Sequence, residues 1–155
     1  MRGDLMQGRR RAELTGIVLS IKPKYVREIL NGVKQYEFRK QIFKNESVKM
    51  VFIYSTAPEK KVVACFRVGK IVKGHPDYLW EQFRDVSGIS EKEFFEYFSD
   101  RDTGYAIRID DLEQFPEPVD PHEMFGRFVA PQSFCYVENM PLNPTFGSKK
   151  SCEYY

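Results

Sequence analysis

The stretch YVREILNGVKQYEFRK (Tyr25–Lys40) changes period halfway along. In its first half Val26, Ile29 and Leu30 recur at helical spacing. In its second half Tyr36 and Phe38 alternate with Glu37 and Arg39, as on a strand. Asn31 and Gly32 lie at the change, and glycine readily ends a helix in the left-handed conformation. Pro23, just upstream, can open that helix because the first turn has no use for its missing N–H. The spacing therefore predicts a short helix from Pro23 to about Asn31, then a strand over KQYEFRK. On that strand Gln35, Glu37 and Arg39 share one face. Lys34, Tyr36, Phe38 and Lys40 share the other, with Tyr36 and Phe38 toward the core.

The flanking sequence supplies further strands. TGIVLSI (Thr15–Ile21) precedes the helix as a β-branched run. VKMVFIYS (Val48–Ser55) is a strand, APEKK a turn, and KVVACFRVGKIV (Lys61–Val72) a long strand bent at Gly69 and buried on both faces for part of its length. Residues 74–102 then read as a helical insertion. Leu79, Trp80 and Phe83 fit one helix face, Phe94, Phe95 and Phe98 another, and Ser90 with Glu93 has the spacing of a capping box. TGYAIRI (Thr103–Ile109) returns to a strand. DDLEQFPEPVDPHEMFG, with three prolines, reads as a long loop with one short helical turn. QSFCYVE (Gln132–Glu138) is the last strand.

These elements predict an α+β fold: a small β-barrel of five or six mostly antiparallel strands, with a short helix after the first strand and a helical insertion. The expected division is a flexible segment 1–14, one domain over 15–139, and a tail 140–155.

The 155 residues suit one domain with a real core. A net charge of +2 excludes nucleic-acid binding by overall charge, so anion binding must come from a local patch. The cluster Arg9–Arg11 reads as a loose start to the chain rather than a site. Three cysteines and two histidines show no metal-ligand spacing, and the odd cysteine count argues against a disulfide framework. The expectation is a cytoplasmic protein with reduced thiols, no structural metal and no cofactor. No apolar run reaches membrane-spanning length and no signal-peptide core is present, so no membrane partner is expected.

LSIKPKYVREILNGVKQYEFRK (Leu19–Lys40) resembles the opening signature of ASCH domains, in the PUA-like superfamily. That signature is a strand, a short helix and then G-x-K-x-x-E-x-R, met here by Gly32, Lys34, Glu37 and Arg39. VFIYST, VVACFRVGKIV, GYAIRI and APQSFCYV are also similar to ASCH proteins, so the resemblance spans about 16–138. It implies a PUA-like β-barrel with a cleft beside the helix. The superfamily holds RNA-binding modules, readers of modified bases and a few enzymes, including N4-acetylcytidine hydrolases and a ribonuclease branch. Fold alone does not decide among them.

Under the resemblance, Lys34 and Arg39 would hold phosphate and Glu37 would accept from a base amine. The plain alternatives are a solvated lysine at a helix end and a surface ion pair. Lys22 and Lys24, at the helix start, could extend a phosphate site. Tyr54 and Ser55 end a strand that borders the cleft in PUA-like folds, where an aromatic could stack on a base, although core packing is the stronger reading of Tyr54. Gln132 and Ser133, introducing the last strand, could read a base edge and a phosphate. The partner implied is RNA or another single-stranded nucleic acid, with a modified nucleoside as the other ligand class.

Whether the chain is an enzyme stays open. The amidohydrolase branch pairs its lysine with a threonine three residues on, where Glu37 stands here. A carboxylate there is expected to hold Lys34 protonated, the wrong state for a base. If catalysis occurs, Lys34 and Glu37 are the candidates. A third reading makes the aromatic insertion a protein-interaction surface, which requires an exposed apolar patch.

Overall fold

A computed structural model describes residues 14–140 and 153–154. The cluster Arg9–Arg11 lies outside the described residues, as do positions 141–152. The strands are β1 (Leu14–Ile21), β2 (Tyr36–Arg39), β3 (Val48–Ser55), β4 (Lys61–Gly74), β5 (Gly104–Val119), β6 (Phe134–Met140) and the two-residue β7 (Glu153–Tyr154). The helices are α1 (Pro23–Leu30), α2 (Pro76–Phe83), α3 (Glu91–Tyr97) and α4 (Pro121–Phe125), with a 3-10 turn at Arg84–Val86.

One sheet runs β2-β5-β4-β3-β1-β6-β7. All its pairings are antiparallel except β1 with β3. The expected α+β class holds and the strands are mostly antiparallel. The expected barrel does not hold: among the described residues no ladder joins β2 to the far end of the sheet, which stays open. Composition and strand count cannot reveal closure, because it depends on whether two strands distant in the sheet order meet.

Alternation along the central strands sorts the core onto two faces. Ile17, Leu19, Ile21, Val51 and Ile53 point toward α1 and pack with its Val26 and Ile29. Val18, Phe52 and Tyr54 point the other way, onto Met124 and Phe125 of α4 and onto Phe128. A third cluster joins Phe38 and Ala106 to Leu79, Phe94 and Phe98 of the insertion. Trp80 packs against Phe94 at 5.0 Å between rings, as its apolar helix face predicts. With the insertion aromatics turned inward, Tyr78 is the one large apolar side chain of that segment, among the described residues, left open to solvent, so the interaction-surface reading weakens.

Three local expectations need correction. The proline-rich stretch is not a loop: β5 continues to Val119 and α4 follows. Between the pairs Ala64↔Gln114 and Val62↔Val119 the ladder loses register, so Pro116 and Pro118 sit in a bulge where no ladder N–H is required. The last strand starts at Phe134, leaving Gln132 and Ser133 before it. Cys65 is a buried free thiol as expected, but Cys135 is disulfide-bonded.

A candidate nucleic-acid cleft between the first helix and the insertion

The site begins where α1 ends. Gly32 takes φ 79°, and the N–H groups of Val33 and Lys34 both return to the Glu28 carbonyl at 3.0 and 2.9 Å. Gln35 N–H then donates to Val86 C=O at 2.8 Å, tying the chain to the insertion before β2 pairs with β5. The loop after the 3-10 turn presses directly on Lys34. Gly88 has φ +61°, and a Cβ placed there would lie 2.3 Å from Lys34 Cβ. Glycine is required at that position twice over, by backbone conformation and by space.

Lys34 is therefore not a solvated helix-end lysine. It is 3% exposed, and its ammonium donates to Ser87 C=O at 2.9 Å. The same nitrogen lies 3.7 Å from Glu37 Oε1 and 4.7 Å from the centre of the Phe38 ring. Burial pulls its pKa below the ordinary lysine value. The Glu37 charge opposes that shift but is the smaller effect, and Arg39 adds to the lowering. Glu37 does favour the charged form of Lys34, as expected from the sequence, but burial outweighs it, and spacing shows the carboxylate without showing the desolvation.

Glu37, expected on the face away from the core, is 6% exposed. Its other oxygen accepts from Arg39 Nη1 at 3.1 Å, and Arg39 Nη2 donates to Ser133 C=O at 2.9 Å. Lys34, Glu37 and Arg39 form one chain of charges, held from three segments. Pairing also explains how two cations and a carboxylate tolerate a largely dehydrated position.

This chain lies in a cleft of about 550 Å³, within the usual range for a ligand pocket. α1 supplies one wall with Lys24 and Tyr25, and Lys22 precedes it. α3 supplies the facing wall with Glu93, Glu96 and Tyr97, and Ser20 and Gln132 complete the lining. Of the sequence candidates, Lys22, Lys24, Lys34, Glu37, Arg39 and Gln132 come together here. Ser133 joins through its carbonyl. Tyr54 and Ser55 do not line the cleft. Tyr54 is 6% exposed and packs on Phe128, 5.1 Å between rings, so it offers no face to a base. Ser55 is fully buried, and its hydroxyl has no hydrogen-bond partner among the described residues.

Sequence reasoning passed over the α3 wall. Glu93 reads as a capping-box residue, and its N–H does donate to the capping Ser90 Oγ at 3.1 Å. Its carboxylate, however, reaches across the cleft to Lys24 Nζ at 2.5 Å and Tyr25 Oη at 2.7 Å. Those contacts hold its pKa below the ordinary value, the bond to Lys24 contributing most. Tyr97 receives the Lys40 N–H on its hydroxyl at 3.2 Å, and burial raises its pKa. A tyrosine one position before the buried Phe98 on a short helix carries no sequence signal for this role. Among the described residues no group of histidine, cysteine and carboxylate side chains is placed to hold a metal ion, and no helix is long and apolar enough to cross a membrane.

Residues 14–131 match the family described as "Domain of unknown function (DUF365)". A protein of Zymomonas mobilis subsp. mobilis named ASCH domain-containing ribonuclease is 28% identical over 122 residues, covering 77% of this chain and 82% of that protein. The crystal structure of ASCH from Zymomonas mobilis is similar with a TM-score of 0.69 at 27% identity, covering 77% of this chain and 85% of that one. The large ribosomal subunit protein uL22 of Ureaplasma parvum serovar 3 is 25% identical over 122 residues. That match spans 79% of this chain but only 39% of the relative.

Proposed function

Because this chain belongs to the DUF365 family and carries an ASCH domain, we propose that it binds RNA, holding a single-stranded nucleotide in the cleft between α1, β2 and α3. The similarity to a protein named as a ribonuclease supports an RNA-related role for the domain. The observation that supports nucleotide binding is the convergence of Lys22, Lys24, Lys34, Arg39 and Gln132 in one cleft of nucleotide size. Lys22 and Lys24 are exposed at the mouth of the cleft, where they can meet phosphate as point charges, Lys24 by exchanging its Glu93 partner. Lys34 and Arg39 are fixed deeper, where their remaining donors address whatever enters. Glu37 orients both cations and is mostly occupied by them, so base recognition falls to Gln132 and Tyr97 as much as to Glu37.

Fluorescence anisotropy with short single-stranded RNA tests this. Removing Lys34 and Arg39 alone would strand a buried carboxylate and endanger the fold. The informative variants are therefore Lys22→Ala/Lys24→Ala and the triple Lys34→Ala/Glu37→Gln/Arg39→Ala. Both should weaken RNA binding while the protein stays folded by circular dichroism. Wild-type affinity in the folded triple variant would remove the cleft from consideration.

The lowered pKa of Lys34 favours a second reading, that the same cleft hydrolyses its ligand. A free amine at Lys34 could take the proton of a ribose 2′-hydroxyl as that oxygen attacks the adjacent phosphorus. The bond to the 5′-oxygen breaks and that oxygen takes up a proton from water, leaving a 2′,3′-cyclic phosphate and a 5′-hydroxyl. Arg39 and Lys24 would counter the charge on the phosphoryl oxygens. In an amidohydrolase the same amine would activate the nucleophile against an N4-acylcytidine. Cleavage of labelled RNA and mass spectrometry of acylated cytidines separate the two chemistries. In either case, Lys34→Arg, which cannot supply a free base, should abolish turnover. Turnover retained by that variant would dismiss Lys34 as the base.

A further inference from the structure

The Glu93 contact across the cleft is the least expected feature of the site. Lys24 Nζ and Tyr25 Oη, from the first turn of α1, converge on two oxygens of one carboxylate carried by a different helix. The two helices bury their apolar faces in different places, Val26 and Ile29 under the sheet and Phe94 and Phe98 in the insertion cluster. The pair is thus not part of a packed helix–helix seam. Glu93 and Lys24 are 37% and 47% exposed, and such pairs exchange readily with competing ions in water. The N-terminus of α3 does not need this carboxylate either, since Ser90 Oγ caps it.

We infer that Lys24 and Tyr25 form a phosphate subsite at the mouth of the cleft and that Glu93 fills it in the free protein, its carboxylate standing where a phosphate of the bound strand goes. This rests on the RNA-binding reading of the same cleft and deepens it. A carboxylate and a phosphodiester each present two anionic oxygens to a cation and a hydroxyl, so one can replace the other without rebuilding the donors. Lys22 adds positive potential beside the subsite, and its charge acts on Glu93. A strand entering the cleft displaces Glu93 into solvent and gains Lys24 and Tyr25. A small dilute anion gains too little to compete. The cleft is thereby biased toward polyanions, whose other phosphates meet Lys22, Lys34 and Arg39 at the same time.

The test is anisotropy with a labelled oligouridine on the full chain, comparing wild type with Glu93→Gln, Glu91→Gln, Lys24→Ala and Glu93→Gln/Lys24→Ala. Glu91 lies on the same helix, is exposed and does not line the cleft, so its variant measures the effect of removing one negative charge. Glu93→Gln should bind roughly 3- to 10-fold more tightly, beyond the change in Glu91→Gln. Lys24→Ala should cost more affinity in the Glu93→Gln background than in wild type, because only there is Lys24 already released. Equal gains in the two glutamine variants, or an equal cost of Lys24→Ala in both backgrounds, would overturn the subsite.

The triple cleft variant in the same experiment reports on the underlying reading separately. If it binds as wild type does, the RNA cleft fails. The subsite is then read with inorganic phosphate, by amide chemical shifts of Lys24 and Tyr25. Shifts at lower phosphate concentration in Glu93→Gln than in wild type keep the subsite, and identical titrations reject it.

Discussion

At the scale of single residues, Lys34 sets the character of the site. A lysine whose pKa is lower in the folded protein than in the unfolded chain binds fewer protons when folded, at any pH between the two values. Its burial costs stability while it is charged. That cost fades as pH rises through the folded value toward the ordinary 10.5. The stability of wild type relative to Lys34→Met should therefore increase as pH is raised from neutral, measured by urea unfolding. A difference that stays flat or falls with pH would show that the ammonium is not desolvated. Gly88 offers an independent check. Gly88→Ala meets a left-handed backbone, worth about 1–2 kcal/mol on its own, and also collides with Lys34. It should lower stability by at least that much and weaken RNA binding. An alanine variant of unchanged stability would contradict the close approach. The motif residues could be singled out through the resemblance to ASCH domains, because G-x-K-x-x-E-x-R is a local pattern. Their burial was not, because what covers Lys34 is Ser87 and Gly88, more than fifty positions away and joined to it only by folding.

At the scale of elements, the insertion is part of the site rather than an ornament on the sheet. Phe94 is fully buried, meeting Phe38 edge-on at 5.1 Å and Phe98 at 4.9 Å. Gly104 makes room for this docking, since a Cβ there would come within 2.5 Å of the Phe98 ring. Phe94→Ala should cost about 3–5 kcal/mol, the usual range for a buried phenylalanine. It should also loosen the α3 wall, so RNA affinity falls with stability. Urea unfolding and anisotropy on the same preparation measure both, and a cost below about 1 kcal/mol would contradict the packing. Helices α1, α2 and α3 and strand β3 were readable because their apolar spacing agrees with the tertiary environment. Strand β5 past Asp110 was not, since its prolines argue locally for a loop. The bulge that accommodates them is a property of the pairing with β4, not of the residues alone.

At the scale of the whole molecule, charge is the deciding quantity. With a net charge of +2, binding should depend on the few cations that line the cleft, Lys22, Lys24, Lys34 and Arg39. Each phosphate neutralised on a single strand contributes a slope of about −0.7 to log affinity against log salt, so the total should lie near −2 to −3. A slope much steeper than that would point to a basic surface outside the cleft. The open sheet bears on the same issue. Without closure, the cleft is bounded by α1 on one side and by the insertion on the other, and strand count from sequence could not distinguish that arrangement from a barrel.

The most direct measurement is a titration of the isotope-labelled protein with a short single-stranded RNA, followed by amide and side-chain chemical shifts. The account predicts that the largest changes fall on Lys22, Lys24, Tyr25, Lys34, Arg39, Glu93 and Tyr97, with Tyr54 and Phe128 on the opposite face unmoved. Shifts centred on the opposite face, or none at saturating RNA, would contradict the cleft as the nucleic-acid site.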